Sequence, residues 1–338
     1  MNRCLSACAA LALATIALAA CGEKAEVTTG SAGAGQPLRL MLDWVPNADH
    51  VGIYQGLSEG DFAQAGLAVR VQVPSDPATP LELVAAGKVD AAISYEPELM
   101  LARNRGLPLV AIAAIVQRPL TSIISLGSNR ITQPRDLRGK TVGDAGIAYQ
   151  HAYLQTILAR AGVSTDKVKE VNVGANLVPA MLSRRVDATL GGYWNYEAIQ
   201  LAQRGKRPNV IRMDEVGVPA YDELVLVVRR DTLANRSDEL HRFVQAMARG
   251  YKSVRRDPTA AVDTLVRANP GLDRKLQLAS VRATLGAFFP SAPGKPWGWQ
   301  DPARWTAYGA WMLAHRLITN PNAAADASTN QLLAGQGV

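Results

Sequence analysis

Four short segments carry the side chains that could recognise or transform a small molecule. Leu42-Asp43-Trp44-Val45-Pro46-Asn47-Ala48-Asp49-His50 offers a flat ring for stacking in Trp44 and a group that both donates and accepts in Asn47. His50 closes this segment at an expected helix start, where the helix dipole disfavours its charged form. Pro46 sets an irregular turn that a compact core does not require; the plainer alternative is that Trp44 packs in the core and His50 only caps. Gly191-Gly192-Tyr193-Trp194-Asn195-Tyr196-Glu197 puts a ring and a carboxylate at i and i+3, so Trp194 and Glu197 share a face if a helix begins there. The glycine pair lets the backbone approach something closely, with Asn195 between ring and acid. In the alternative, Trp194 packs inward and Glu197 only favours the helix N-terminus. Ser94-Tyr95-Glu96-Pro97-Glu98 presents Tyr95 and Glu96 in a similar setting, and Gly217-Val218-Pro219-Ala220-Tyr221-Asp222-Glu223 adds Tyr221 and Glu223, although a hinge also needs turn residues there. Rings with carboxylates that accept N–H groups suit reversible capture of a small ring, and these ten residues are the candidate ligand-binding set.

Covalent and metal chemistry lacks its residues. Gly56-Leu57-Ser58-Glu59-Gly60 has the spacing of a nucleophile elbow but falls inside a helical pattern instead of after a strand. His50, His151, His241 and His315 are far apart, with no pair at ligand spacing. Neither a Walker A loop nor a dinucleotide-binding glycine loop is present. No catalytic residue, metal or cofactor is therefore expected. The net charge of +7 comes from scattered residues without interleaved aromatics, which argues against nucleic-acid binding and favours an anionic membrane surface only weakly.

The elements that would position these segments alternate. Strand-like runs are expected at 38–42, 67–73, 91–94, 109–116, 122–126, 141–143, 168–173, 188–190, 210–213 and 224–229, with helical patterns between most of them, beginning with 51–65. This is α/β order. The tail reads as helices at 237–255, 259–268, 274–288 and 302–317, each opened by Ser, Asp or Pro and expected to buttress one lobe. Gly87-Lys88-Val89-Asp90-Ala91-Ala92-Ile93 is echoed 97 residues later by Arg184-Arg185-Val186-Asp187-Ala188-Thr189-Leu190, and aromatic and acidic residues follow each copy. Two similar α/β lobes would show such an echo, with strand ends facing across a cleft.

The N-terminus predicts the compartment. Arg3 precedes an apolar run from Leu5 to Ala20 that ends Leu18-Ala19-Ala20-Cys21, which reads as a signal peptide over residues 1–20. Leu-Ala-Ala-Cys-Gly resembles a bacterial lipobox, which implies cleavage before Cys21 and lipidation of that residue, tethering the chain outside the cytoplasm. Cys4 and Cys8 leave with the signal, so no disulfide or thiol catalysis is expected. Residues 21–37 read as a flexible tether with a reach of about 20 Å. The expected organisation is then lobe one over 38–122 and 224–338 and lobe two over 123–223, in a monomer.

Several of these pieces together resemble the NMT1/THI5-like solute-binding proteins: Asp43-Trp44-Val45-Pro46-Asn47 with His50, Gly52 and Tyr54, then Glu59 to Leu67, Gly87-Lys88-Val89-Asp90, Asp136 to Lys140, Gly192-Tyr193-Trp194-Asn195 and Gly217 to Leu224. The resemblance implies a two-lobed type II periplasmic-binding fold that serves an ABC permease and its ATPase. The branch with the Asp-Trp-x-Pro-Asn and Tyr-Trp-Asn motifs binds aminopyrimidine precursors of thiamine. A riboflavin-like ring, nitrate or a sulfonate is the alternative within the class. The family also includes a pyrimidine synthase, which places a cofactor-bearing lysine and a sacrificial histidine where this chain has Ser94 and Glu98, and a cysteine cluster where it has Gly217 to Leu224. The resemblance therefore implies a binding protein and not an enzyme.

Overall fold

The computed structural model describes residues 25–26 and 37–336; the expected signal peptide and Cys21 lie outside the described residues. Eleven strands are described: β1 (Ala25–Glu26), β2 (Leu38–Met41), β3 (Val69–Gln72), β4 (Ala91–Ser94), β5 (Leu109–Val116), β6 (Thr121–Leu126), β7 (Thr141–Asp144), β8 (Lys169–Asn172), β9 (Ala188–Tyr193), β10 (Pro208–Arg212) and β11 (Leu224–Arg229). They form two sheets, ordered β1-β3-β2-β4-β11-β5 and β10-β6-β9-β7-β8. Within the expected tether, Ala25 and Glu26 pair antiparallel with Gln72 and Val71, because β3 otherwise offers the open backbone groups of an edge strand.

The two sheets repeat one plan. Three parallel strands, β3-β2-β4 in one and β8-β7-β9 in the other, are followed by an antiparallel strand that has crossed from the opposite sheet. Those crossing strands are β11, paired with β4, and β6, paired with β9. The echoed Val-Asp segments lead into β4 and β9, equivalent strands of the two sheets. β5 is buried along its whole length and β11 over all but Arg229, as expected of strands covered on both faces.

The expected helix at 51–65 divides at Gly60, whose φ of +76° ends Val51–Glu59 before the turn Asp61–Gln64. The tail helices are Ser237–Arg256, Pro258–Ala268, Arg274–Thr284 and Pro302–Ala314, with a tighter 3₁₀ turn at Leu285–Phe288. Ser237–Arg256 buries Leu240, Phe243, Val244, Met247, Tyr251 and Val254 at three- and four-residue spacing, and it packs on Val51–Glu59. A Cβ on Gly250 would lie 2.1 Å from the Gly52 carbonyl, so this close crossing requires glycine. Asp257, Asp273 and Asp301 cap the three later helices as expected. Ser237 does not cap the first; Arg236 stands at that position and pairs with Asp90 and Glu239 instead. Among the described residues, no helix is long and apolar enough to cross a membrane.

Candidate functional site

The residues that follow β2, β4, β7 and β9 converge between the two sheets, where the carboxyl ends of parallel strands leave a crevice. They line a cavity between the two sheets. Its aromatic walls are Trp44, Tyr95, Tyr149, Tyr193 and Tyr196; its carboxylates are Asp43 and Glu197; its amides are Asn47 and Gln150. Among the described residues, no lysine or arginine lines it.

Local hydrogen bonds hold each polar group in place. The Asn47 side-chain oxygen accepts from the Asp49 N–H at 2.8 Å and so caps the turn Ala48–His50. His50 Nδ1 lies 3.2 Å from the Asn47 backbone N–H, which can only donate, so the ring proton resides on Nε2. Nε2 then donates to Asp43 Oδ1 at 2.8 Å, and the Tyr95 hydroxyl donates to Asp43 Oδ2 at 2.8 Å. Burial and the Asp43 charge push the Tyr95 hydroxyl well above its ordinary value, which keeps it a donor. Asp43 is thus oriented by two neutral donors and has no basic partner in the cavity wall.

On the opposite wall, Glu197 Oε2 accepts the Tyr193 N–H at 2.7 Å in the first turn of the helix Glu197–Gln203. Burial pushes its carboxyl up to about 7. Gln150 Oε1 accepts from the Ala145 N–H at 2.8 Å, which orients its amide nitrogen toward Gly191. A Cβ on Gly191 would sit 2.3 Å from that nitrogen, and its φ is +103°, so only glycine fits. The arrangement can stack a flat ring and accept its N–H groups on two carboxylates. It presents no positive charge to an anion.

A family model described as NMT1/THI5 like matches residues 47–261. The chain belongs to the NMT1/THI5-like family. It is 33% identical over 321 residues to a formylaminopyrimidine-binding protein of Halalkalibacterium halodurans, a match covering 94% of this chain and 96% of that one. It is 25% identical over 244 residues to a 4-amino-5-hydroxymethyl-2-methylpyrimidine phosphate synthase of Aspergillus parasiticus, covering 71% of this chain and 73% of the synthase. Among solved structures, the alkanesulfonate-binding protein SsuA of Xanthomonas axonopodis pv. citri, bound to MOPS, matches with a TM-score of 0.65 at 18% identity over 88% of this chain and 99% of SsuA. The fold is the two-lobed type II periplasmic-binding fold.

Of the ten candidate residues, this NMT1/THI5-like chain brings Trp44, Asn47, Tyr95 and Glu197 to the cavity. The other six lie off its walls. His50 is fully buried behind Asp43 and acts through it. Glu96 accepts the Asp222 N–H at 2.7 Å and ties a helix start to the returning chain. The Trp194 indole donates to the Pro119 carbonyl at 3.0 Å, and the Arg212 guanidinium covers its ring at 4.8 Å. Trp194 and Glu197 therefore do not share a face, because the helix begins only at Glu197. Asn195 is buried against Asp49 and Thr284. Tyr221 packs between Tyr153 and Tyr308 and donates to Glu223.

Glu223 accepts four hydrogen bonds, from the Leu120 and Thr121 backbone N–H groups and from the Thr121 and Tyr221 hydroxyls. It thereby joins the two chain crossings between the sheets. Asp43, Tyr193 and Tyr196 stood inside motifs read for other residues. The turn from Ala145 to Gln150 carries no local motif of its own. β7 is the counterpart of β2, so the segment after it is the counterpart of the Trp44 segment; that equivalence was the signal available.

Proposed function

We propose that this protein is the extracytoplasmic solute-binding component of an ABC importer, and that its solute is an aminopyrimidine precursor of thiamine. One observation carries the reading: the cavity has five aromatic side chains and two carboxylates, the buried Asp43 and the half-buried Glu197, and among the described residues no lysine or arginine lines it. An aminopyrimidine supplies the complement, a flat ring for stacking and an exocyclic amine that donates to Glu197 or Asp43, as cytosine's amine donates to carboxylates. A sulfonate or nitrate would face two acids and no base. The name of the formylaminopyrimidine-binding relative, matched along nearly the whole chain, supports the same ligand class.

No turnover and no cofactor belong to this reading. Ser94 and Glu98 are buried outside the cavity walls, and the Ser94 hydroxyl donates to Glu98 at 3.2 Å. Burial raises the Glu98 carboxyl to about 8, so it stays uncharged there at neutral pH. Neither position carries a lysine or histidine.

Lipidation at Cys21 would hold the protein to a membrane outside the cytoplasm, where closure of the lobes around solute is read by the permease. The Cys21→Ala variant is expected to leave the membrane fraction or stay unprocessed; a variant still processed and membrane-bound would contradict the anchor. Native mass spectrometry of the gently purified protein, offered formylaminopyrimidine and taurine together, tests the ligand class. Retention of the pyrimidine alone is expected; retention of taurine alone would overturn the assignment.

A further inference from the structure

Helix Arg274–Thr284 lies outside the cavity yet touches both sides of the cleft. It packs against the turn Ala48–His50 that follows β2 and against the helix Glu197–Gln203 that follows β9. The hydrogen bonds across this junction come from side chains. Asn195 Nδ2 donates to Asp49 Oδ1 at 3.0 Å and to Thr284 Oγ1 at 2.6 Å. The Thr284 hydroxyl spends its own proton on the Ser280 carbonyl at 2.8 Å, which leaves it an acceptor toward Asn195. Gln277 Nε2 donates to the Tyr196 hydroxyl at 2.8 Å, and the Tyr196 residue is part of the cavity wall.

Asp49, Asn195, Gln277, Ser280 and Thr284 are all buried. Four of them nevertheless keep a polar atom without a hydrogen-bond partner among the described residues: Asp49 Oδ2, Asn195 Oδ1, Gln277 Oε1 and Ser280 Oγ. A half-satisfied polar layer is costly when dry, and its groups regain water when it opens. The crossing at Glu223, with four donors to one carboxylate, has the opposite character. Burial, and then the Asp43 charge, hold the Asp49 carboxyl well above its ordinary range.

We propose that Asn195, Gln277 and Thr284 form a separable latch that favours the closed cleft already in the ligand-free protein and that solute reinforces through the Tyr196 ring. Gln277 and Thr284 are then positioning residues for solute retention, though neither touches the cavity. The latch rests on the reading of the cleft as a solute site. It differs from the hinge in being made to open, and it assigns part of the closing free energy to the C-terminal helices.

The test uses Thr284→Val, which keeps shape and loses the acceptor, Thr284→Ser, which keeps the hydroxyl, and Gln277→Leu. Stopped-flow fluorescence with formylaminopyrimidine reads association and dissociation separately, and thermal melting confirms that each variant is folded. Thr284→Val and Gln277→Leu are expected to dissociate about 5- to 30-fold faster with association nearly unchanged, and Thr284→Ser to behave as the wild type. Unchanged dissociation in both loss variants, or an equal loss in Thr284→Ser, would overturn the latch. If the wild type binds no formylaminopyrimidine, the proposed ligand fails and small-angle scattering of the ligand-free proteins decides alone. Expansion of Thr284→Val beyond the wild type would then support the latch, and identical curves would overturn it.

Discussion

Replacing Glu197 by Gln keeps the side-chain shape and an oxygen for the Tyr193 N–H, but removes the ionisable group. Burial raises this carboxyl from 4.5 to about 7 in the ligand-free protein. The folded value lies above the unfolded one, so as pH rises from 4.5 the unfolded chain ionises first. Stability falls through that window and the loss is complete above pH 7. In a fully dry site the gap is worth about 3 kcal/mol. Glu197 keeps some solvent contact, and screening reduces the cost to about 1–3 kcal/mol. Glu197→Gln is therefore expected to stabilise the ligand-free protein at pH 8, raising its melting temperature by a few degrees, and to have no such effect at pH 4.5. Binding should move the other way. A hydrogen bond to a charged acceptor contributes about 1.5–3 kcal/mol, so formylaminopyrimidine should bind about 10- to 150-fold more weakly at pH 8. Calorimetric melting at the two pH values and titration at pH 8 measure both. Equal melting shifts at the two pH values, or unchanged pyrimidine affinity, would refute the reasoning, and tighter taurine binding by the variant would point to anion uptake.

Four other substitutions separate cavity wall from scaffold. Trp44→Ala should weaken pyrimidine binding about 5- to 150-fold through loss of a stacking face, whereas Trp194→Ala, whose indole lies off the cavity, should change it by less than about threefold; titration of both checks this. Gly191→Ala forces a Cβ to 2.3 Å from Gln150 Nε2 at a φ of +103°, so titration should show binding lost by more than about tenfold and melting a stability cost of about 1–3 kcal/mol. Glu223→Ala leaves four buried donors without their acceptor and should cost at least about 3 kcal/mol in chemical denaturation; a smaller loss would contradict its role in joining the two crossings.

Much of the fold was legible because its strands announce themselves. Leu109–Val116 and Leu224–Arg229 are apolar runs too short for helices, and the repeated Val-Asp motif marks equivalent strands of the two sheets. Helix edges were less legible. Gly60 breaks one expected helix through a left-handed turn, and Arg236 takes the cap position expected of Ser237 because Asp90 and Glu239 hold it there.

Of the residues expected at a site, the sequence brings only some to the cavity. Trp44, Tyr95 and Glu197 reach the cavity, but sequence spacing could not tell the ring of Trp194 from that of Tyr193, since the chain turns between them before the helix begins. His50, Tyr221 and Glu223 have the residue types of a site but lie off the cavity wall, where His50 bonds Asp43 and Glu223 joins the chain crossings. The Glu223 partner Thr121 lies 102 residues away and is set by tertiary placement that no local pattern records.

Calorimetric titration of the ligand-free wild type with formylaminopyrimidine, and separately with taurine, tests most directly that this cavity captures an aminopyrimidine. A saturable one-to-one isotherm with the pyrimidine and no heat of binding with taurine is expected from a cavity walled by aromatics and carboxylates with no basic residue. Saturable binding of taurine without binding of the pyrimidine would contradict it.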